Sequence, residues 1–320
     1  MENVLDVLAD LLSTMRLSGG VFLDGEFRTP WSVWAHLGPD DCATFFPGSR
    51  QMIAYHFVRA GRLVCEIKGQ PPLTVEAGEI VILPRNEPHL LHGSIPASPV
   101  DAHKLIEPAR KDGLLQIRSG GEGELTAIYC GFLGSLTADN MLLMALPSIM
   151  KIGASGLERG DWIERSLDFA VHGLSQDSPE MVGKMAESLF AEAVRRYMAA
   201  LPPEEIGWLA GLRDTAVGRT LARIHQHYAD AWTLDLLARE AGGSETVLVD
   251  RFRALIGESP MQYCARWRMH VAAEMLRDNG QNACSVAYSV GFNSEAAFNR
   301  AFKREFGLPP AAWQRSRAGA

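Results

Sequence analysis

The side chains that could do chemistry fall into two groups. The first half of the chain carries His56, His89, His92 and His103, with Cys42, Cys65 and Cys130. Histidines could hold a metal, but such a site needs three or more converging ligands. His56 shares a strand face with Ala54 and Val58, which reads as a core histidine, so neither a metal nor another cofactor is expected. Cysteines could sense oxidants, which requires an accessible thiolate of low pKa, often beside a resolving partner. None of the three cysteines has a basic neighbour in sequence, and Asp40-Asp41 disfavours a thiolate at Cys42. Small apolar filler is the simpler reading for them, and Cys264 and Cys284 read as packing residues. The second group is cationic. From residue 218 onward there are 13 Lys and Arg against 10 Asp and Glu, in a chain of net charge -7. A mildly basic third on an acidic body points to an anionic partner for that third.

The elements that must position these groups can be read next. The 320 residues make about two domains, on a prior of ~150 each. Hydrophobic residues at 47% exclude a mostly disordered chain. No uninterrupted apolar run reaches the ~18 residues of a membrane-spanning helix, so no membrane partner is expected. The opening MENVLDVLADLLSTMRLSGG sets Glu2, Asp6 and Asp10 ahead of its only basic residue, unlike a secretory leader. Five cysteines without CxxC spacing speak against a disulfide framework or zinc ribbon and for a reducing cytoplasm.

Residues 1–16 read as a short amphipathic helix, and 20–135 as many short strands between turn signals, a barrel or sandwich pattern. RLVCEIK at 62–68 alternates cleanly, with Leu63, Cys65 and Ile67 on one face. From 138 the period is helical. Ser178-Pro179-Glu180 opens a long helix over 178–199, and Leu201-Pro202-Pro203 ends it. Its stripe of Met181, Met185 and Leu189 needs a partner face, and a second subunit would supply one.

A repeat at an offset of 50 residues follows. SETVLVDRFRALIGESP (244–260) matches SEAAFNRAFKREFGLPP (294–310), pairing Ser244 with Ser294, Leu248 with Phe298 and Phe252 with Phe302. Gly257 pairs with Gly307 and Pro260 with Pro310, and upstream Ala238, Ala241 and Gly242 pair with Ala287, Val290 and Gly291. Each copy reads as a helix, a Gly turn, a Ser N-cap, a second helix and a Gly C-cap, which is a helix-turn-helix. Two recognition helices entering one face of B-DNA would sit about one helical turn apart, on the order of 34 Å.

With these residues, 216–316 resembles the DNA-binding domain of the AraC/XylS transcription regulators, most specifically in VGFNSEAAFNRAFKREFGLPPAAWQ (290–314). The resemblance implies a helix near Met261–Arg277 linking the two units. It sets Ser244, Thr246, Val249 and Asp250 on the DNA-facing side of the first recognition helix, and Ser294, Ala296, Ala297 and Arg300 on that of the second. Arg251, Arg253, Arg266, Arg268, Lys303 and Arg304 become phosphate contacts or structural ion pairs, and Arg300 the best-placed base reader. Glu245 and Asp250 put negative charge near phosphates and weaken the case for readout by the first helix.

In the first half, GEIVILPRNEPH (78–89) resembles the second cupin motif, with Asn86 where Gly is usual, and FVRAGRLVCEIKG resembles the first. The first-motif metal ligands are missing: their places fall near Pro47–Arg50 and Ala54. The resemblance therefore implies a cupin-like β-barrel sensor over 1–135 with His56, His89 and His92 as pocket candidates. A helical dimerisation segment over 136–205 follows, then an all-α double helix-turn-helix domain over 216–317. The implied protein is not an enzyme but a cytoplasmic, homodimeric regulator of promoter DNA, an activator, with RNA polymerase as a further partner. Its effector is a small molecule, or an oxidant or electrophile acting at Cys130, Cys65 or Cys42. A thiol-only switch and a metal-dependent cupin enzyme are the alternatives.

Overall fold

The strand Gln51–Ala60 shows why the first half of the chain builds sheet with both faces covered. Met52, Ala54, His56 and Val58 alternate with Ile53, Tyr55 and Phe57, and all seven are buried. The first set joins a core between two sheets, and the second lies on the opposite face. In the computed structural model, the described residues are 17–36, 38, 48–107, 115–135, 141–153, 165, 169, 179–202, 204–278 and 281–317. The expected helix over 1–16, Cys42 and Ser178 lie outside them. The chain divides into two units, Met15–Ala200 and Leu201–Ala320.

The first unit holds strands β1 (Leu17–Arg28), β2 (Ser32–Ala35), β3 (Gln51–Ala60), β4 (Arg62–Ile67), β5 (Leu73–Glu76) and β6 (Glu79–Leu83). It continues with β7 (His89–His92), β8 (Val100–Asp101), β9 (Ile106–Glu107), β10 (Leu115–Gly120), β11 (Leu125–Ser135) and β12 (Met150–Gly153). A seven-stranded sheet runs β12-β6-β3-β11-β1-β10-β9 and a five-stranded one β5-β4-β7-β2-β8. Leu23, Phe27, Trp31, Leu63, Cys65, Val81, Leu91 and Cys130 fill the space between them. The tight turn between β3 and β4 needs Gly61: its φ is +73°, and a Cβ there would meet the Leu125 carbonyl oxygen at 2.1 Å.

Helix α1 (Met141–Ala145) precedes β12, and helix α2 (Pro179–Ala200) follows it. The helical expectation from 138 onward fails at β12, whose Met150 and Ile152 pair with Ile82 and Ile80 of the seven-stranded sheet. β-branched and apolar alternation at a free sheet edge outweighs the helical surroundings. Helix α2 packs on this sheet: Leu189, Phe190, Ala193, Val194 and Met198 are buried, with a narrow apolar gap against Ile53, Tyr55 and Leu133. Leu189 is thus spent inside the chain and is not free for the subunit seam expected of it; Met185 is half-buried.

The second unit is helical: α3 (Trp208–Arg213), α4 (Thr215–Gln226), α5 (Leu234–Ala241), α6 (Glu245–Ile256) and α7 (Pro260–Asp278). Helices α8 (Ala283–Ser289), α9 (Glu295–Phe306) and α10 (Pro310–Arg317) complete it. The repeat is structural. Leu248, Phe252, Phe298 and Phe302 are each at most 1% exposed, and Ala238, Ala241, Ala287 and Val290 are buried opposite them. Gly257 and Gly307 end α6 and α9 in the left-handed region, at φ +87° and +77°. Helix α7 spans the link, one residue longer at each end than expected. Trp208 Nε1–H donates to Tyr263 Oη, whose hydroxyl meets His225 Nε2, each at 2.7 Å, tying α3, α4 and α7 together.

Candidate functional site

The two recognition helices present their N-terminal faces outward. Ser244 Oγ accepts from the Val247 N–H at 3.4 Å, and Ser294 Oγ from the Ala297 N–H at 3.3 Å. Both serines are therefore caps, and both remain exposed. On α6, Thr246 and Asp250 are exposed and Val249 is half-buried. Arg251 reaches back to Asp214 at 3.4 Å, while Arg253 is exposed. Asp214 also caps α4 through the N–H groups of Ala216 and Val217, a double role that sequence spacing hides. On α9, Ala296, Arg300, Lys303 and Arg304 are exposed and Ala297 is half-buried. None of Arg300, Lys303 and Arg304 has a carboxylate partner among the described residues.

Two basic candidates turn out structural. Arg266 pairs with Glu258 and lies over the Tyr263 ring. Arg268 donates to the backbone carbonyls of Tyr228 and Asp230. Each thus spends its Nε and one terminal nitrogen inside the unit. Cys284, expected to pack, is exposed; Cys264 is buried as expected.

The histidines and cysteines of the first unit sort differently from their sequence grouping. His56 and His89 are buried at 2% and 1% exposure, facing each other from β3 and β7. Their Nε2 atoms lie 2.9 Å apart. His56 Nδ1 lies 2.9 Å from Cys130 Sγ, because β3 and β11 are paired in a register that sets His56 opposite Cys130. Cys130 thus has a basic neighbour that its flanking sequence does not show. His92, one strand face away from His89, meets Glu66 at 3.1 Å and leaves the cluster; His103 pairs with Asp101 on the surface. Cys65 is fully buried, and burial pushes its thiol up to about 12. Burial likewise raises the Cys130 thiol and lowers His56 well below the usual histidine range; it takes His89 to about 4, against the pull of its bond to the Glu87 carbonyl. These are neutral groups satisfied by one another. Among the described residues no three His, Cys, Asp or Glu converge to hold a metal ion.

His89 Nδ1 lies 2.8 Å from the Glu87 carbonyl oxygen. Asn86, in the cupin-motif position where Gly is usual, has φ +46°, a conformation Asn tolerates better than most residues. Two residues escaped sequence reasoning. Arg85 donates to the Leu143 and Leu146 carbonyls at 2.9 and 2.7 Å and to Ser148 Oγ at 2.7 Å. Glu87 accepts from Arg85 Nε at 3.0 Å and from Ser148 Oγ at 3.2 Å.

A double-sheet unit followed by two serine-capped helix-turn-helices defines a DNA-binding transcription regulator with a cupin domain. The family models agree: residues 6–199 match a cupin and 237–316 a helix-turn-helix domain. The chain is 30% identical, over 97% of both chains, to an AraC-like transcription regulator of Streptomyces lividans. It is 24% identical to the HTH-type transcriptional regulator AlkR of Acinetobacter baylyi, over 96% of this chain and 98% of that one. It is also 24% identical to the RCS-specific HTH-type transcriptional activator RclR of Escherichia coli, over 86% and 88%. The chain belongs to the AraC-like family of transcription regulators. No helix among the described residues is long and apolar enough to cross a membrane.

Proposed function

We propose that this regulator activates transcription from promoter DNA as a cytoplasmic homodimer, reading its operator chiefly through α9 and gating that binding by a signal received in the cupin domain. The exposed, uncommitted cations Arg300, Lys303 and Arg304 on a capped recognition helix carry the reading. Helix α6 contributes Thr246 and Val249, which suit thymine methyl contacts, while Asp214 engages Arg251 and only Arg253 is left for phosphate. Ser244, Ser294, Ala296, Ala297 and Asp250 shape the two faces. The likeness to a named activator supports the sign of regulation, and RNA polymerase is then the partner recruited. The effector is a small molecule or an oxidant or electrophile; in the second case the signal would remove the Cys130 S–H from its contact with His56, at a thiol that burial raises. No catalytic role is assigned.

Fluorescence anisotropy with the protein's own upstream DNA tests the reading. Arg300→Ala should weaken specific binding roughly 5- to 150-fold, the equivalent of about 1–3 kcal/mol. Binding to random DNA should change little, and Arg268→Ala should move the melting temperature instead. Equal losses on specific and random DNA would make Arg300 a phosphate contact.

A further inference from the structure

A series of hydrogen bonds joins Cys130 to the segment between β11 and β12. Cys130 Sγ meets His56 Nδ1, His56 Nε2 meets His89 Nε2, and His89 Nδ1 meets the Glu87 carbonyl, at 2.9, 2.9 and 2.8 Å. The Glu87 carboxylate then receives Arg85 and Ser148, and Arg85 clamps the Leu143 and Leu146 carbonyls.

Hydrogen-bond chemistry gives this chain one direction. A carbonyl oxygen only accepts, so His89 Nδ1 carries a proton. Burial keeps His89 neutral, which leaves its Nε2 bare. Two bare or two protonated nitrogens would repel at 2.9 Å, so His56 Nε2 carries the proton between them. His56 is neutral too, its Nδ1 is bare, and the Cys130 S–H must donate to it. Each link depends on the one before.

The order can be reversed from one end only. If Cys130 loses its S–H and presents only lone pairs, His56 must turn its Nδ1 into the donor. Its Nε2 is then bare against His89 Nε2, and His89 must take a proton there. The His89 Nδ1 is left bare, with its lone pair facing the Glu87 carbonyl oxygen. That contact changes from attraction to repulsion at a partly buried place, on a His89 that is itself 1% exposed.

We propose that Cys130, His56, His89 and Glu87 form a directional hydrogen-bond wire that turns loss of the Cys130 S–H into release of the Arg85 clamp on residues 143–148. The input is any modification that makes the sulfur an acceptor: a disulfide, a thioether or an oxidised thiol. The output is displacement of Glu87, whose carboxylate holds Arg85 and Ser148 just ahead of β12. The wire deepens the reading of the cupin domain as the sensing half and rests on it.

Histidine-selective 15N NMR on the full-length reduced protein tests the direction. His56 should be the Nε2–H tautomer and His89 the Nδ1–H tautomer, assigned by His56→Gln and His89→Gln. The opposite tautomers would overturn the proposal. Methyl methanethiosulfonate then supplies the input: the thiolate sulfur forms an S–S bond to the methylthio group, methanesulfinate leaves, and the thiol proton goes to solvent. With the Cys130 adduct verified by intact mass in a protein carrying Cys42→Ser, Cys65→Ser, Cys264→Ser and Cys284→Ser, both tautomers should reverse. Deuterium uptake of the 141–153 peptide should rise at least several-fold. Cys130→Ser keeps a donor and should show neither change.

Reversed tautomers with unchanged 141–153 exchange would overturn the link to the clamp. Faster exchange without reversal would overturn the wire. Arg85→Gln should by itself raise 141–153 exchange, and the adduct should then add nothing; an additive effect sinks the coupling. DNA binding that ignores the adduct, with the wire intact, would instead remove the thiol signal from the proposed function and leave the wire standing.

Discussion

At the residue scale, the buried histidines connect packing to pH. His89 and His225 sit near 4 and 3, and His56 is lowered too, each chiefly by burial. In the unfolded chain they titrate near 6.5. Below that value the unfolded state binds more protons than the folded one, so stability falls as pH falls. The window runs from about 6.5 down towards the folded values. Each histidine can remove up to about 1.4 kcal/mol per pH unit within it. Thermal melts of the full chain from pH 7.5 to 5 should therefore show a falling midpoint, and His225→Gln should flatten the slope of the helical unit's transition. A midpoint that holds constant to pH 5 would mean that these imidazoles are charged in the fold.

The chemistry of single residues was legible where local geometry fixed it. His56 read as a core histidine because strand alternation sets it beside Ala54 and Val58. Its partner Cys130, 74 residues away, was illegible, because register between β3 and β11 is a matter of tertiary pairing. Arg266 and Arg268 were left between phosphate contact and structural ion pair for the same reason: their acceptors, Glu258 and the Tyr228 and Asp230 carbonyls, are brought to them by the fold.

At the scale of elements, capping chemistry does most to define the two DNA-reading helices. Ser294 Oγ satisfies an N–H that would otherwise be orphaned at the start of α9. Ser294→Ala should cost about 1 kcal/mol, read as a lower urea midpoint with unchanged slope, whereas Ser294→Gly should cost only a few tenths. Equal losses from both substitutions would point to a packing role. The same caps explain why the repeat was visible from sequence: serine, glycine and apolar spacing act over four to eight residues. Helix α2 was visible for a similar reason, but its destination was not. A stripe such as Met185 and Leu189 says that a face must be covered, not by what. The seven-stranded sheet covers it through Leu189, Phe190 and Val194.

At the scale of the whole chain, each unit has its own core, which makes the second a candidate for independent folding. A fragment of residues 201–320 should unfold cooperatively and bind DNA. A fragment starting at 216 lacks α3, the Trp208–Tyr263 bond, the buried Leu209 and Leu212 and the Asp214 cap. It should melt several degrees lower in calorimetry, since roughly 1 kcal/mol shifts a domain of this size by about 4–8 °C. Matching midpoints for the two fragments would show that the unit begins after α3.

What the sequence determined by itself was local and periodic: strands before residue 135, two copies of a capped helix pair, an exposed cationic helix, and the family these define. Caps, turns and alternation act between near neighbours, so their signal survives in the linear order of residues. Tertiary structure decided what lay between distant segments. It joined β12 to a sheet, set Arg251 on Asp214, and strung Cys130, His56, His89 and Glu87 into one chain. The physical reason is that strand register and side-chain hydrogen bonding depend on which faces meet, and that is chosen by burial over the whole core.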